Sequence, residues 1–277
     1  MEKSIIMKIA AVVVVYNPEI EQLKRNIESY ASYVNEVIAV DNSDYNIDYN
    51  SFNIEKIVWM KQHENYGIGK ALNVGVNKAI QDGCDYVLTM DQDSKFSNNL
   101  IDEYLKYVNE SIAILSPNYI IDRKKNKQYK EKTNTMYWTM TSGSLLSIKA
   151  YKKIGNFKEE FFIDAVDYEY CLRARANGYK IIQVNSAYLL HNPGITKEKK
   201  ILFFNYKYGY MSPLRLYYQI RNLSCIAKEF KSYRSYLVII MKLSKIFLLF
   251  DNKKEFLKMF KKARKDFKNN KYGKYEG

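Results

Sequence analysis

With 277 residues, 47% of them hydrophobic, the chain is long enough to bury a sizeable core without disulfide staples or a structural metal. Its three cysteines, Cys84, Cys171 and Cys225, are odd in number and form no CxxC pair, so neither a disulfide framework nor a zinc site is expected, and a reducing cytoplasm fits. The formal charge of +14 gathers at one end: from Lys228 onward thirteen lysines and two arginines face five carboxylates, which points to an anionic partner, either lipid or nucleic acid.

In chain order, KIAAVVVV (8–15) reads as a Val-rich strand buried on both faces. Asn17 and Pro18 follow at once and no small-residue cleavage site appears, so the N-terminus is expected to be structure rather than a leader. Pro18 opens a helix with Ile20, Leu23, Ile27, Tyr30 and Val34 on one stripe. A second strand, EVIAV (36–40), is stopped by Asp41-Asn42-Ser43-Asp44, and EKIVWM (55–60) predicts a third. After a loop with Gly67 and Gly69, a helix carries Ala71, Leu72, Val76, Ala79 and Ile80, and DYVLTM (85–90) is the fourth strand. Alternating strands and helices define an α/β fold whose central, mostly parallel sheet is flanked by helices.

Residues 100–200 mix short strands and helices with no linker, so residues 1–205 are expected to form one domain and 206–277 a basic, aromatic-rich helical C-terminal extension. In that extension YLVIIMKLSKIFLLF (236–250) is shorter than the ~20 residues of a membrane span and is interrupted by Lys242 and Lys245. Further on, Phe256, Phe260, Ala263 and Phe267 fall at i, i+4, i+7 and i+11 among lysines. That stripe lies on a membrane interface or packs on the domain.

Ligands of open α/β sheets bind beyond the carboxyl ends of the strands. Three polar clusters fall there: Tyr16-Asn17, Asp41-Asn42 and Asp91-Gln92-Asp93. Two carboxylates one residue apart can share a hard divalent cation such as Mg²⁺ or Mn²⁺; the plainer reading is that Asp91 and Asp93 cap the next turn. Acidic groups converging where phosphates would sit argue against a nucleic-acid partner.

The ordered series Tyr16-Asn17-Pro18, VDNSD (40–44), ENYGIGKALNVGV (64–76), MDQDS (90–94), then GSLLSIKAYKKIGNFKEEFFIDAVDYEYCLRARANGYKI and HNPG, resembles the inverting glycosyltransferases of family 2, which have the GT-A fold. FIDAVDYEYCLRAR (162–175), His191 and SPLRLYYQIRN (212–222) are most similar to the rhamnosyltransferases of that family. The resemblance implies a nucleotide-sugar donor, dTDP-L-rhamnose, and a lipid-linked saccharide acceptor. With the basic tail, it implies a peripheral protein on the anionic inner face of a bacterial cell membrane, its oligomeric state open.

The same resemblance assigns roles to matching positions. Tyr16 and Asn17 border the nucleotide, and Asp41, beside Asn42, accepts from the base N–H. Asn65, Gly67 and Lys70 approach the ribose and diphosphate, a simple glycine turn being the alternative. Asp91 and Asp93 serve the ribose and the divalent metal, Asp93 being the favoured direct ligand, and Gln92 between them borders the donor; His191 is the third metal ligand, a structural hydrogen-bonder being the alternative. On side-chain chemistry rather than resemblance, the bidentate guanidinium of Arg221 or Arg215 suits a diphosphate clamp, Arg221 being favoured and packing against the many tyrosines being the alternative; His63 is read as ordinary.

Inverting transfer needs a base for the acceptor hydroxyl. Asp167 is the expected base; Asp164 and Glu169 are candidates for binding acceptor. The family pattern has Glu where this chain has Val166.

Overall fold

A computed structural model of the chain describes residues 7–277 apart from 46, 50, 51, 53, 98, 121–128, 191–193, 195, 202 and 203. The Val-rich run forms β1 (Ile9–Val15), with β2 (Glu36–Asp41) and then β3 (Ile57–Lys61) on one side and β4 (Tyr86–Asp91) on the other, all four parallel. Four of the next strands, β5 (Lys95–Phe96), β6 (Ile112–Ile120), β7 (Thr133–Thr135) and β8 (Ser144–Ser147), join with β9 (Lys180–Leu190) to extend it. Among the described residues the sheet has nine strands in the order β3-β2-β1-β4-β8-β6-β9-β5, with β7 paired to β9. β8 runs antiparallel to both β4 and β6, so the sheet is parallel through its first four strands and mixed beyond.

The period-two alternation of β1 divides the core. Ile9, Ala11, Val13 and Val15 face Leu23, Ile27 and Tyr30 of α1 (Ile20–Ala31), whereas Ala10 and Val12 face Ala71, Leu72 and Val76 of α2 (Ile68–Gln81). α3 (Leu100–Leu105) joins the first layer; α4 (Ile148–Ile154) and α5 (Val166–Ala176) join the second. Close approach of α2 to the sheet depends on Gly75, where a Cβ would sit 2.4 Å from Val12 Cγ1. α1 begins two residues after Pro18 because the carboxylate of Glu19 accepts from the free N–H groups of Glu21 and Gln22.

Beyond the antiparallel pair β10 (Thr196–Ile201) and β11 (Phe204–Gly209) come α6 (Pro213–Glu229), α7 (Tyr233–Leu248) and α8 (Lys253–Lys268). The α8 stripe settles its two readings: Phe256, Met259 and Ala263 are buried with Leu216, Tyr217 and Ile220 of α6. Each large side chain so buried contributes about 2 kcal/mol by leaving water; Phe260 packs half-buried on the same cluster, and Phe267, also half-buried, lies outside it. No helix among the described residues is long and apolar enough to cross a membrane.

Candidate active site

Strand register brings the polar ends together. Val15 pairs with Asp41 and Val14 with Asp91, so two carboxylates flank the last residues of β1 where the strand order reverses. The turn after β4 is locked to β1 by Gln92, whose side-chain amide accepts from Tyr16 N–H at 2.7 Å and donates to Tyr16 O at 3.1 Å. The buried Asn26 of α1 donates to Gln92 O at 2.8 Å. Gln92 is therefore a clamp between strand ends: the amide expected to serve the donor holds backbone instead. Tyr16 itself is exposed, its hydroxyl donating to Asp44 at 2.8 Å, and that bond raises its pKa above the usual phenol value. Asn17, at φ 44°, donates its N–H to Ser43 Oγ.

Asp41 lies at the wall of a polar cavity of ≈ 230 Å³ with Ser43, Asp44, Tyr45, Lys61 and His63. One carboxylate oxygen accepts from Ser43 N–H at 2.9 Å and the other from the Tyr49 hydroxyl. Tyr49 stacks on Trp59 with centroids 3.7 Å apart, so an aromatic layer backs the acid. His63, read as ordinary from the sequence, and Lys61 both line this cavity. Asp41 pairs with Lys61 in the β2–β3 register, so the strand-end rule, applied to β3 as well as to the other three strands, finds both.

Asn42 and Asn65 shape the glycine loop. Asn42 donates to Asn65 Oδ1 at 3.0 Å and accepts from Tyr66 N–H, while Asn65 accepts from Gly67 N–H at 2.9 Å. Gly67, at φ 89°, makes its close approach to the chain itself: a Cβ there would lie 2.5 Å from Phe162 O, and Ile68 N–H donates to that same carbonyl at 2.7 Å. The glycine expected to admit a diphosphate thus seats the acidic segment. Lys70 places its ammonium 3.8 Å from the centroid of the Tyr66 ring.

That acidic segment is wound unusually. Phe162, Asp164 and Ala165 all have φ between 62° and 65°, a left-handed conformation costly for residues with side chains. Asn222 of α6 holds it, its buried amide nitrogen lying 3.0, 2.9 and 2.8 Å from the carbonyls of Phe161, Ile163 and Asp164. Its neighbour Arg221 is 1% exposed and donates to the carbonyls of Gly273, Glu160 and Phe161. This corrects the expectation for Arg221: its guanidinium is inside the protein, clasping backbone, and Arg215 is the arginine at the cleft. Arg215 forms a two-pronged pair with Asp164, both N–O distances 2.7 Å.

Ala165 caps α5, which places Asp167 in its first turn. Tyr168 N–H donates to Asp167 Oδ1 at 2.8 Å, yet burial outweighs that bond and pushes the carboxyl up to about 6, helped by Asp164. Asp91 is pushed up to about 7, first by burial and then by Asp93 and Asp167; Arg215 opposes the rise. Asp91, Asp93, Asp164, Asp167 and Arg215 thus share one electrostatic neighbourhood. Val166, the departure from the family pattern, is 3% exposed and belongs to the core between the sheet and its second helix layer.

Glu169 does not belong to this cleft. It is 1% exposed and bound by Arg173, whose Nε and Nη2 lie 2.8 and 2.9 Å from its oxygens. An acceptor-binding role is replaced by a buried ion pair that also carries Arg173 to the carbonyls of Ile154 and Asn156.

Asp91 ends β4 and Asp93 lies exposed in the following turn, so two hard oxygen donors border the crevice. In donor chemistry the pair fits a divalent cation, which would relieve their mutual repulsion. Among the described residues no three His, Cys, Asp or Glu groups cluster as a complete ligand set. His191, the expected third ligand, lies outside the described residues.

This fold and cleft define a nucleotide-sugar-type α/β transferase, and comparison with known proteins gives the family. The model of "Glycosyl transferase family 2" matches residues 10–165, more than half of the chain, which therefore belongs to that family of glycosyltransferases. The chain is 28% identical over 240 residues to the dTDP-rhamnosyl transferase RfbF of Shigella flexneri, covering 80% of each. It shares its fold with TarS (1–349) of S. aureus, at TM-score 0.54 and 18% identity over 68% of this chain and 61% of that one. A structure of GalNAc-T7 with UDP, GalNAc and Mn²⁺ superimposes at TM-score 0.63 and 12% identity, over 96% of this chain and 57% of that one. The architecture is the expected GT-A fold.

Proposed function

We propose that the protein transfers L-rhamnose, with inversion, from dTDP-L-rhamnose to a hydroxyl of a lipid-linked cell-surface polysaccharide precursor, in the cytoplasm at the inner face of the membrane. The observation that carries this reading is the similarity to a dTDP-rhamnosyl transferase over 80% of both chains. The base of the donor enters the cavity beside Asp41, where a carboxylate backed by Tyr49 accepts from the base N–H.

Asp91 and Asp93, with His191, would hold Mg²⁺ or Mn²⁺. The ion supplies positive charge to a diphosphate leaving group. Asp167 removes the proton from the acceptor hydroxyl as that oxygen attacks the anomeric carbon; a carboxyl raised to about 6 is ionised at neutral pH yet more basic than an exposed aspartate. Arg215 orders Asp164 and lends positive charge to the same cleft.

The test is a panel of dTDP- and UDP-sugars with Mg²⁺ or Mn²⁺, scored by release of nucleoside diphosphate. Turnover of dTDP-L-rhamnose above the other donors is expected. Preference for a UDP-hexose would replace the rhamnose reading with another donor on the same machinery.

A further inference from the structure

α7 has two faces of opposite character. Ser235, Ile239, Lys242 and Ile246, at i, i+4, i+7 and i+11, turn inward. Lys242 donates to Gln219 Oε1, and Gln219 donates to Asp164 Oδ1 at 3.2 Å, so this face is one side chain removed from the acidic segment. Outward, Tyr233, Leu237, Ile240, Met241, Phe247 and Leu248 recur at i, i+4, i+7, i+8, i+14 and i+15, with Tyr233 67% and both Ile240 and Leu248 61% exposed. Six large apolar side chains on one solvent-facing stripe form the kind of patch that marks an interaction surface.

The rim of the stripe is basic. Lys231 and Arg234 stand exposed at its start and Lys245 toward its end, and no carboxylate occurs from Lys231 to Phe250. An apolar face framed by cations complements an anionic bilayer, where apolar groups enter the headgroup boundary and lysines meet lipid phosphates. Two copies meeting through this face about a two-fold axis would instead set like charges together. α8, the basic amphipathic helix that attracts attention in the sequence, has no free apolar stripe to offer.

We propose that the outer face of α7 is the membrane-docking surface of this protein, lying in the plane of an anionic leaflet. Its inner face then holds Gln219 and Asp164 beside the membrane border. The consequence that a lipid-linked acceptor enters along α7 rests on the function proposed above; the docking itself does not.

The full-length protein is floated with vesicles of phosphatidylglycerol and phosphatidylcholine, and with phosphatidylcholine alone. Binding to the anionic vesicles, weakened by salt, is expected, and the double variant Ile240→Glu/Leu248→Glu should lose it by roughly tenfold or more. These side chains are exposed and outside the cleft, so nucleoside diphosphate release with a water-soluble acceptor should be unchanged. Equal flotation of variant and parent, or no flotation of the parent, overturns the proposal. Light scattering showing a dimer that the double variant dissociates would assign the face to a second copy and likewise overturn it. Flotation is read without donor, so vesicle binding through α7 by a chain that ignores dTDP-L-rhamnose would sink the donor assignment alone.

Discussion

Arg215 and Asp164 meet as a fork and a carboxylate, each of two guanidinium nitrogens 2.7 Å from one oxygen, across the gap between α6 and the left-handed segment before α5. Asp164 also accepts from Gln219, and Arg215 is the cation that holds down the rise at Asp91. One arginine thus links the segment that leads into α5, the helix carrying the expected base, to the carboxylates expected to serve the leaving group.

Replacing Arg215 by lysine keeps the charge and removes the fork. The arginine side chain is 50% exposed, and exposed pairs contribute only about 0–1 kcal/mol, so thermal unfolding should barely move. Transfer should suffer more: kcat/KM is expected to fall on the order of tenfold to a hundredfold, since losing the fork frees Asp164 and with it the backbone that positions Asp167. Steady-state kinetics beside a melting curve would decide it, and unchanged kinetics would reduce the pair to surface decoration.

Arg221 should behave in the opposite way. Its guanidinium satisfies three backbone carbonyls in the interior and sits 5.1 to 5.8 Å from the ring centroids of Tyr217, Tyr218 and Tyr272. Arg221→Lys strands several of those acceptors, at about 1–3 kcal/mol for each left unpaired. A lower urea midpoint, with donor KM unchanged below the transition, is the expected pattern. If Arg221 instead held the diphosphate, KM would rise and stability would stay.

The parallel half of the sheet was legible because continuous Val-rich runs and polar strand ends state both burial and direction. The convergence of Asp41 and Asp91 on the end of β1 follows from that pattern and strand register. What the sequence did not reveal is which polar groups face outward. Gln92, Asn42, Asn65 and Glu169 look like ligand-binding residues by type and position, yet each is engaged by a partner 23 to 76 residues away or by an arginine one helical turn on. Such partners are set by tertiary packing. Arg221 and Arg215 have the same chemistry six residues apart on α6; only the helix's orientation against the Phe161–Asp164 backbone separates clasp from cleft. α7 was obscured by average hydropathy, which does not show whether an apolar stripe is covered.

Asp167 offers a test in which activity and stability move in opposite directions. Its carboxyl rises from 3.8 to about 6 on folding, chiefly through burial. The folded state therefore favours the protonated acid, and this group's contribution to stability is lost as pH rises through about 6. Transfer needs the ionised form, so the rate should climb with pH toward a plateau above about 6 and fall roughly tenfold per unit below it. Asp167→Asn fixes the side chain in a neutral state while keeping an oxygen to accept from Tyr168 N–H. Near neutral pH the variant should be inactive yet more stable than the parent by on the order of 2 kcal/mol, the gap closing below about pH 4 as the parent becomes protonated in both states. Denaturant titrations of both proteins at pH 4 and pH 7 measure this directly. An inactive variant that is less stable at pH 7 would mean that Asp167 holds the fold together, and the base would have to be sought elsewhere in the cleft.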